Sequence, residues 1–167
     1  MASGSLGQGM SNALGAAETK KLNGDDRIVY SLHGDGELQE GQIWEAAMYA
    51  SAKKVDNLIC AVDLNGQQID GSTEEVLDMG SLEAKFTAFG FDVLVEKQGN
   101  DMASVVAALE EAKTRTGKGK PVCILLYTEM GNGVDYMMGS HKWHGVAPND
   151  EELANALAQN EETLGDY

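Results

Sequence analysis

The stretch Ser31-Leu-His-Gly-Asp-Gly-Glu-Leu-Gln-Glu-Gly41 ends an apolar run in a carboxylate set between two glycines. The run before it, Arg27-Ile-Val-Tyr-Ser-Leu32, reads as a short buried strand, predicted over 28 to 33. The stretch after it, Gln42 to Lys53, places Ile43, Trp44, Ala47, Met48 and Ala50 at a spacing of about 3.6 residues, which predicts a helix. Asp35 therefore stands at a strand-to-helix junction. Open α/β sheets bind ligands there, in the crevice beyond the carboxyl ends of their strands.

Working outward, Val55-Asp56-Asn57 leads into a second apolar run, Leu58 to Leu64. A strand, a helix and a strand of these lengths form a crossover unit, which requires parallel strands. The alternation continues with a helix over 82 to 89, a strand over 92 to 96, a helix over 102 to 114 and a strand over 121 to 127. A last acidic helix is predicted over 150 to 159. Upstream, Gly4-Ser-Leu-Gly-Gln-Gly9 passes into a small-residue helix that ends near Leu22-Asn-Gly-Asp-Asp26. The expected fold class is α/β, a parallel sheet with helices on both faces. With 167 residues, one domain is expected over 1–167.

The formal charge of −15, from 27 acidic and 12 basic residues, disfavours nucleic acid and anionic membrane surfaces as partners, since both require a cationic patch. Acidic pairs such as Glu151-Glu152 and Glu161-Glu162 read as solvated surface. Cys60 and Cys123 each lie inside an apolar run, which fits buried thiols and a reducing cytoplasm better than a disulfide framework. No apolar stretch approaches bilayer length and no leader pattern opens the sequence, so a soluble, unprocessed protein is expected.

In a parallel sheet the ends of the first two strands lie side by side, which brings Asp35 and Asn65 together. Each offers an oxygen ligand, and Gly66-Gln67-Gln68 can turn a backbone carbonyl to the same point. One carboxylate, one amide oxygen and one carbonyl leave half an octahedron open. That arrangement matches magnesium completed by substrate phosphate and water. Gly34 and Gly36 are expected to permit positive φ and close approach of N–H groups to a diphosphate, with the following helix adding its N-terminal dipole. The third glycine of the dinucleotide fingerprint is missing, and no Gly-Lys-Ser/Thr is present, which argues against a Rossmann dehydrogenase or a P-loop NTPase.

Gly34-Asp-Gly36 followed thirty residues after the Asp by Asn65 resembles the thiamin diphosphate signature. Gly4-Ser-Leu-Gly-Gln-Gly-Met-Ser-Asn-Ala-Leu-Gly15 and Asp63-Leu-Asn-Gly-Gln-Gln-Ile-Asp-Gly71 resemble segments of transketolases. So do Gly131-Asn-Gly-Val-Asp-Tyr-Met-Met138, Trp143-His-Gly145 and Ala147-Pro-Asn-Asp-Glu-Glu152, the last as in the N-terminal subunit of split bacterial enzymes. The resemblance implies thiamin diphosphate as cofactor with Mg2+, or Ca2+ or Mn2+ in its place. Asp35, Asn65 and the carbonyl of Gln67 would hold the metal. Gly4, Ser5, Leu6 and Gly36 would contact the cofactor. His144 would lie beside diphosphate and donor sugar, where an imidazole can donate a hydrogen bond or shuttle a proton. Glu40 would join a network at the subunit interface that links two active sites.

The implied reaction moves a two-carbon ketol unit from a ketose phosphate to an aldose phosphate, the cofactor acting as electron sink and the protein orienting it. The implied partner is a C-terminal subunit carrying the pyrimidine domain, in a homo-oligomeric assembly. Relatives carry further residues ahead of the Gly4 turn, so the chain reads as N-terminally shortened, with an open sheet edge expected to self-associate. Ser5 replaces a proline of fused enzymes, His33 stands at a position that is commonly apolar, and Glu129-Met130 replace small or basic residues.

Plainer readings stand beside these. Glu40 also fits a helix-start acid facing the dipole, and His144 an exposed loop histidine. Trp44 and Met48 fit packing, and Met137-Met138 a loop or partner contact. His33, His141 and His144 offer a weak zinc pattern. Whole-chain alternatives are a non-catalytic scaffold of the same fold, or the diphosphate domain of another thiamin enzyme such as a 2-oxoacid dehydrogenase component.

Overall fold

The computed structural model describes residues 4–160, so Glu161 and Glu162 lie outside the described residues. In chain order the elements are α1 (Gln8–Leu22), β1 (Val29–Gly34), α2 (Gly41–Ala52), β2 (Leu58–Leu64), β3 (Gln67–Gln68), β4 (Gly71–Ser72), α3 (Thr73–Leu77), α4 (Leu82–Ala88), β5 (Asp92–Glu96), α5 (Met102–Arg115), β6 (Val122–Tyr127) and α6 (Asp150–Gln159). Single 3-10 turns span Glu37–Gln39 and His141–Trp143. Every element expected from the sequence is present within a residue or two. The β3–β4 hairpin, α3 and the 3-10 turns were not expected, because pieces this short carry no hydrophobic period.

Strands β1, β2, β6 and β5 form one sheet in that order, and every neighbouring pair is parallel. In this register Gly34 lies opposite Asp63, and Leu64 opposite Tyr127. The residues that follow, at 35, 65 and 128, consequently gather at one end of the sheet.

Helices α1, α2 and α4 cover one face. Met10, Leu14 and Ala17 from α1, Ile43, Ala47 and Ala50 from α2, and Leu82 and Phe86 from α4 pack with Leu58, Cys60 and Val62 of β2. Small residues let α1 approach closely, and the Asn57 side-chain amide donates to the Ala17 carbonyl at 3.0 Å. Trp44 donates to the Leu38 carbonyl at 2.8 Å and meets Phe86 and Phe89 at centroid separations of 5.2 and 5.1 Å, so its role is packing. Met48, one turn on, is exposed.

Helix α5 covers the other face, with Ala108 and Ala112 against Ile59, Val122 and Ile124. It packs on β5 and β6. Tyr30 and Leu32 of β1 are 48% and 70% exposed on their strand. Cys60 and Cys123 are register partners on β2 and β6, both free and fully buried, and burial pushes the Cys60 thiol up to about 11. Among the described residues no helix is long and apolar enough to cross a membrane.

Asp56 ties α1 to the turn after α5. Its carboxylate accepts from Lys21 Nζ at 2.7 Å and from the Gly119 N–H at 2.8 Å, while its carbonyl accepts from the Gly117 N–H at 2.9 Å. Burial alone would push this carboxyl up, but the Lys21 ammonium and the Gly119 N–H outweigh it and hold it below its ordinary 3.8. A depressed carboxyl contributes stability above its ordinary value and loses it as pH falls through the depressed one. Asp56→Asn should therefore destabilise the fold by about 1 kcal/mol at neutral pH. In thermal scans the gap to wild type should close below the ordinary value of 3.8.

Candidate functional site

The Gly34-Asp-Gly36 loop leaves β1 without breaking the ladder, since the Asp35 N–H still donates to the Asp63 carbonyl at 3.0 Å. The side chain of Asp35 turns inward and is 3% exposed. Its two oxygens accept from the Gly36 N–H at 2.9 Å and from the Gly66 N–H at 2.6 Å, stitching the ends of β1 and β2 together. Burial raises the Asp35 carboxyl above its ordinary value, the N–H groups of Gly66 and Gly36 oppose that, and the charge of Asp63 adds to it. No ion pair among the described residues involves Asp35.

The glycines serve otherwise than expected. Neither Gly34 nor Gly36 has positive φ; the left-handed positions nearby are Gly7 at 84° and Gly66 at 73°. Gly36 is required by contact, because a Cβ there would meet the Gln68 Cβ at 2.7 Å, whereas a Cβ on Gly34 would meet nothing within 4 Å. Nor does α2 follow directly: the 3-10 turn Glu37–Gln39 intervenes, so the N-terminus of α2 stands a turn further from the loop. The Gln39 side chain holds that turn to α3 through the carbonyls of Thr73 and Leu77, at 3.3 and 2.9 Å.

Asn65 is half-buried at the end of β2. Its Oδ1 accepts from the Gln67 N–H at 2.9 Å. Gln67 opens the hairpin whose far strand, β4, packs against the 3-10 turn at His141–Trp143. That turn is anchored by the Trp143 indole, which donates to the Tyr136 carbonyl at 3.0 Å and meets its ring edge-on, and by the Tyr136 hydroxyl, which donates to the Glu152 carbonyl at 2.7 Å. The chain is thereby brought back with exposed His144 over the ends of the strands.

A cleft of about 530 Å³ is the result, lined by Leu6, Asp35, Gly36, Glu40, Asn65, Gln67 and His144. Gly4 and Ser5 are exposed beside Leu6 and do not line it. Glu40 stands at the N-cap of α2 and is exposed, where an acid can face the helix dipole, and its side chain makes no capping bond. His33 is buried on β1 and does not line the cleft, and no three His, Cys, Asp or Glu side chains converge on a metal point among the described residues, which leaves the zinc pattern without a site.

Sequence reasoning missed Asp63 and Glu37, which also line the cleft. Asp63 accepts from the Thr128 hydroxyl and lies 3.5 Å from Asn65 Nδ2. Its place near the end of the β2 run was a usable signal, since it breaks an apolar strand. The cleft holds five acids, Asp35, Glu37, Glu40, Asp63 and Asp70, and no lysine or arginine. An anionic ligand fits such a lining only with a cation between. The donor set fits one: a buried, unpaired carboxylate beside an amide oxygen suits a hard divalent ion.

Comparison with known proteins gives the family. Residues 1–162 match the family model described as "Transketolase, thiamine diphosphate binding domain". The chain belongs to the transketolase family. It is 40% identical over 161 residues to one subunit of the apulose-4-phosphate transketolase of Phocaeicola vulgatus, covering 96% of this chain and 56% of that protein. It is 40% identical to the SqwG subunit of the 6-deoxy-6-sulfo-D-fructose transketolase of a Clostridium species, covering 95% and 57%. The transketolase of Campylobacter jejuni superposes with a TM-score of 0.83 at 36% identity, over 95% of this chain and 26% of that one. The chain thus spans little more than half the length of these curated split-type relatives.

The two glycines provide a test of the loop. Gly36→Ala should lower the melting temperature by an amount worth about 1–3 kcal/mol, because Gln68 must move. Gly34→Ala, added into open space, should leave melting unchanged or slightly raised while obstructing the cleft.

Proposed function

We propose that this transketolase-family chain binds thiamin diphosphate through a divalent metal and serves as the diphosphate half of an enzyme that transfers a two-carbon ketol unit. The observation that carries the reading is Asp35: a buried carboxylate without a basic partner, facing a cleft at the ends of parallel strands with Asn65 beside it. Asp35 and the Asn65 side chain hold Mg2+, with Ca2+ or Mn2+ as substitutes, and the Gln67 carbonyl completes the protein's share. Gly36 and Leu6, both in the cleft lining, contact the cofactor, and Gly4 and Ser5, which lie beside the cleft rather than in its lining, extend that contact along the same turn. When bound, thiamin diphosphate supplies the electron sink for breaking the bond between C2 and C3 of a ketose.

The chain's own residues position and exchange protons. His144, exposed at the mouth of the cleft, donates a hydrogen bond to a donor-sugar or diphosphate oxygen and can move a proton there. The substrates in this reading are a ketose phosphate donor and an aldose phosphate acceptor. We assign exposed Glu40, which makes no capping bond to its own helix, to the network at a subunit interface that links two active sites. Two of the relatives are named as subunits of transketolases, which supports a partner; we assign it as the C-terminal subunit carrying the pyrimidine domain. The whole sequence, 1–167, is then one diphosphate-type domain. Two buried free thiols support a reducing compartment, the cytoplasm.

Calorimetric titration of thiamin diphosphate with Mg2+ tests the cofactor reading. Saturable binding is expected, with loss in chelator and in Asp35→Ala. Absence of metal-dependent binding by wild type overturns it in favour of a scaffold. Ketol transfer is expected only when a pyrimidine-domain subunit is added, and transfer by the purified chain alone would contradict the split assignment.

We also propose a homo-oligomer built on β1. Its outer edge is unpaired in the described sheet, Tyr30 and Leu32 stand exposed on it, and a groove of about 510 Å³ runs between this strand and α1. Unpaired apolar edges recruit other strands. Light scattering should show a dimer or larger species, and Leu32→Lys should shift it toward monomer.

A further inference from the structure

Glycines 7 and 34 lie in different segments, and a single carboxylate joins them. Glu37 Oε1 accepts from the Gly7 N–H at 2.8 Å, and Oε2 accepts from the Gly34 N–H at 3.3 Å. The Glu37 side chain is only 11% exposed. Beside it, Nδ1 of His33 lies 3.3 Å from Oε2, and neither nitrogen of this buried imidazole makes a well-directed hydrogen bond among the described residues. Glu37 is thus held between a ring wall and two amides rather than left to rotate in solvent.

The position of this clamp matters. Gly7 is the first buried residue after exposed Gly4, Ser5 and Leu6, and it stands at φ 84° as the N-cap of α1, with no side-chain cap of its own. A Cβ at Gly7 would meet the Glu40 Cβ at 2.9 Å, so the turn is pressed against the start of α2. Gly34 opens the loop that carries Asp35. A carboxylate thirty residues from Gly7 therefore fixes the distance between the two glycine turns on which the cofactor reading depends. A turn ordered in advance costs less affinity than one ordered by the ligand.

Because both Glu37 oxygens are committed to N–H groups, its charge is turned toward the protein backbone, which lets an acid border an anion-binding cleft. We propose that Glu37 is a positioning residue, which holds the Gly4-Ser5-Leu6 turn against the Gly34-Asp35-Gly36 loop in the spacing that the diphosphate and its metal require. This rests on the thiamin diphosphate reading of the cleft.

Two measurements on the full chain test it. Amide hydrogen exchange without cofactor should show the Gly7 amide exchanging on the order of tenfold faster in Glu37→Ala, with β1, β2 and α2 keeping their protection. Calorimetric titration of thiamin diphosphate with Mg2+ should show affinity weakened by on the order of tenfold in the same variant. Glu37→Gln, which retains one acceptor for Gly7, should recover most of both effects. A merely structural role would lower the melting temperature and speed exchange throughout β1 and α1, with no recovery specific to Gly7.

Unchanged Gly7 exchange in Glu37→Ala, or faster exchange with unchanged cofactor affinity, overturns the positioning role. Failure of wild type to bind the cofactor instead overturns the reading of the cleft and the role built on it, whatever Gly7 exchange shows.

Discussion

Parallel pairing of β1 with β2, with Gly34 opposite Asp63, is the constraint on which the remainder of the structure depends. Side chains alternate faces along a strand, so a slip of one residue would carry every apolar contact, and Asp35 with them, to the other side. The ladder extends past the formal strand ends: the Asp35 N–H donates to the Asp63 carbonyl, and the Thr128 N–H to the Leu64 carbonyl at 3.3 Å. Three loops are thereby held in register by backbone bonds. The side-chain carboxylate of Asp35, bonded to the Gly66 N–H, closes the arrangement.

The core and the cleft make opposite demands at this point. Helices α1 and α2 pack an apolar layer against β1 and β2, and that layer ends at Leu38, directly beside the loop. Asp35 is buried by the same packing that stabilises the sheet, and burial of an unpaired carboxylate is unfavourable. A local rule broken in an otherwise consistent fold marks a functional position. Bound to a divalent ion, the same carboxylate ceases to be a conflict.

The electrostatics of the cleft lead to the same physical requirement. An acidic chain with an acidic cleft would repel a diphosphate, and the described lining offers it no lysine or arginine. In the proposed reading, affinity for such a ligand comes from a metal, from backbone N–H groups and from His144. Arrangement of N–H groups depends on turn geometry, which is why the side chains that hold the turns, Glu37 and Gln39, matter as much as those facing the ligand. The edge of β1 carries exposed Tyr30 and Leu32, and Glu40 is exposed at the start of α2.

Much of this was legible in the sequence. Alternation of apolar runs with 3.6-residue periods determined an α/β chain with parallel strands, because local periodicity fixes which face of each element is buried. The nearness of Asp35 to the Asn65–Gln67 turn followed from their places at the ends of those runs, since the crossover rule was enough to bring the first two strands together. Trp44 was legible as packing for the same reason. What each glycine is for was not legible: Gly36 is required by the approach of Gln68, thirty-two residues away, rather than by its own φ. Nor did any local signal reveal that Glu37 reaches back to Gly7, or that β4 packs against the turn at His141–Trp143 and so brings His144 to the cleft. These contacts join residues far apart in the chain, and no local period encodes them. Only the tertiary structure decided them, because they arise where separately folded segments are pressed together, and hydrogen bonds there depend on small differences in distance.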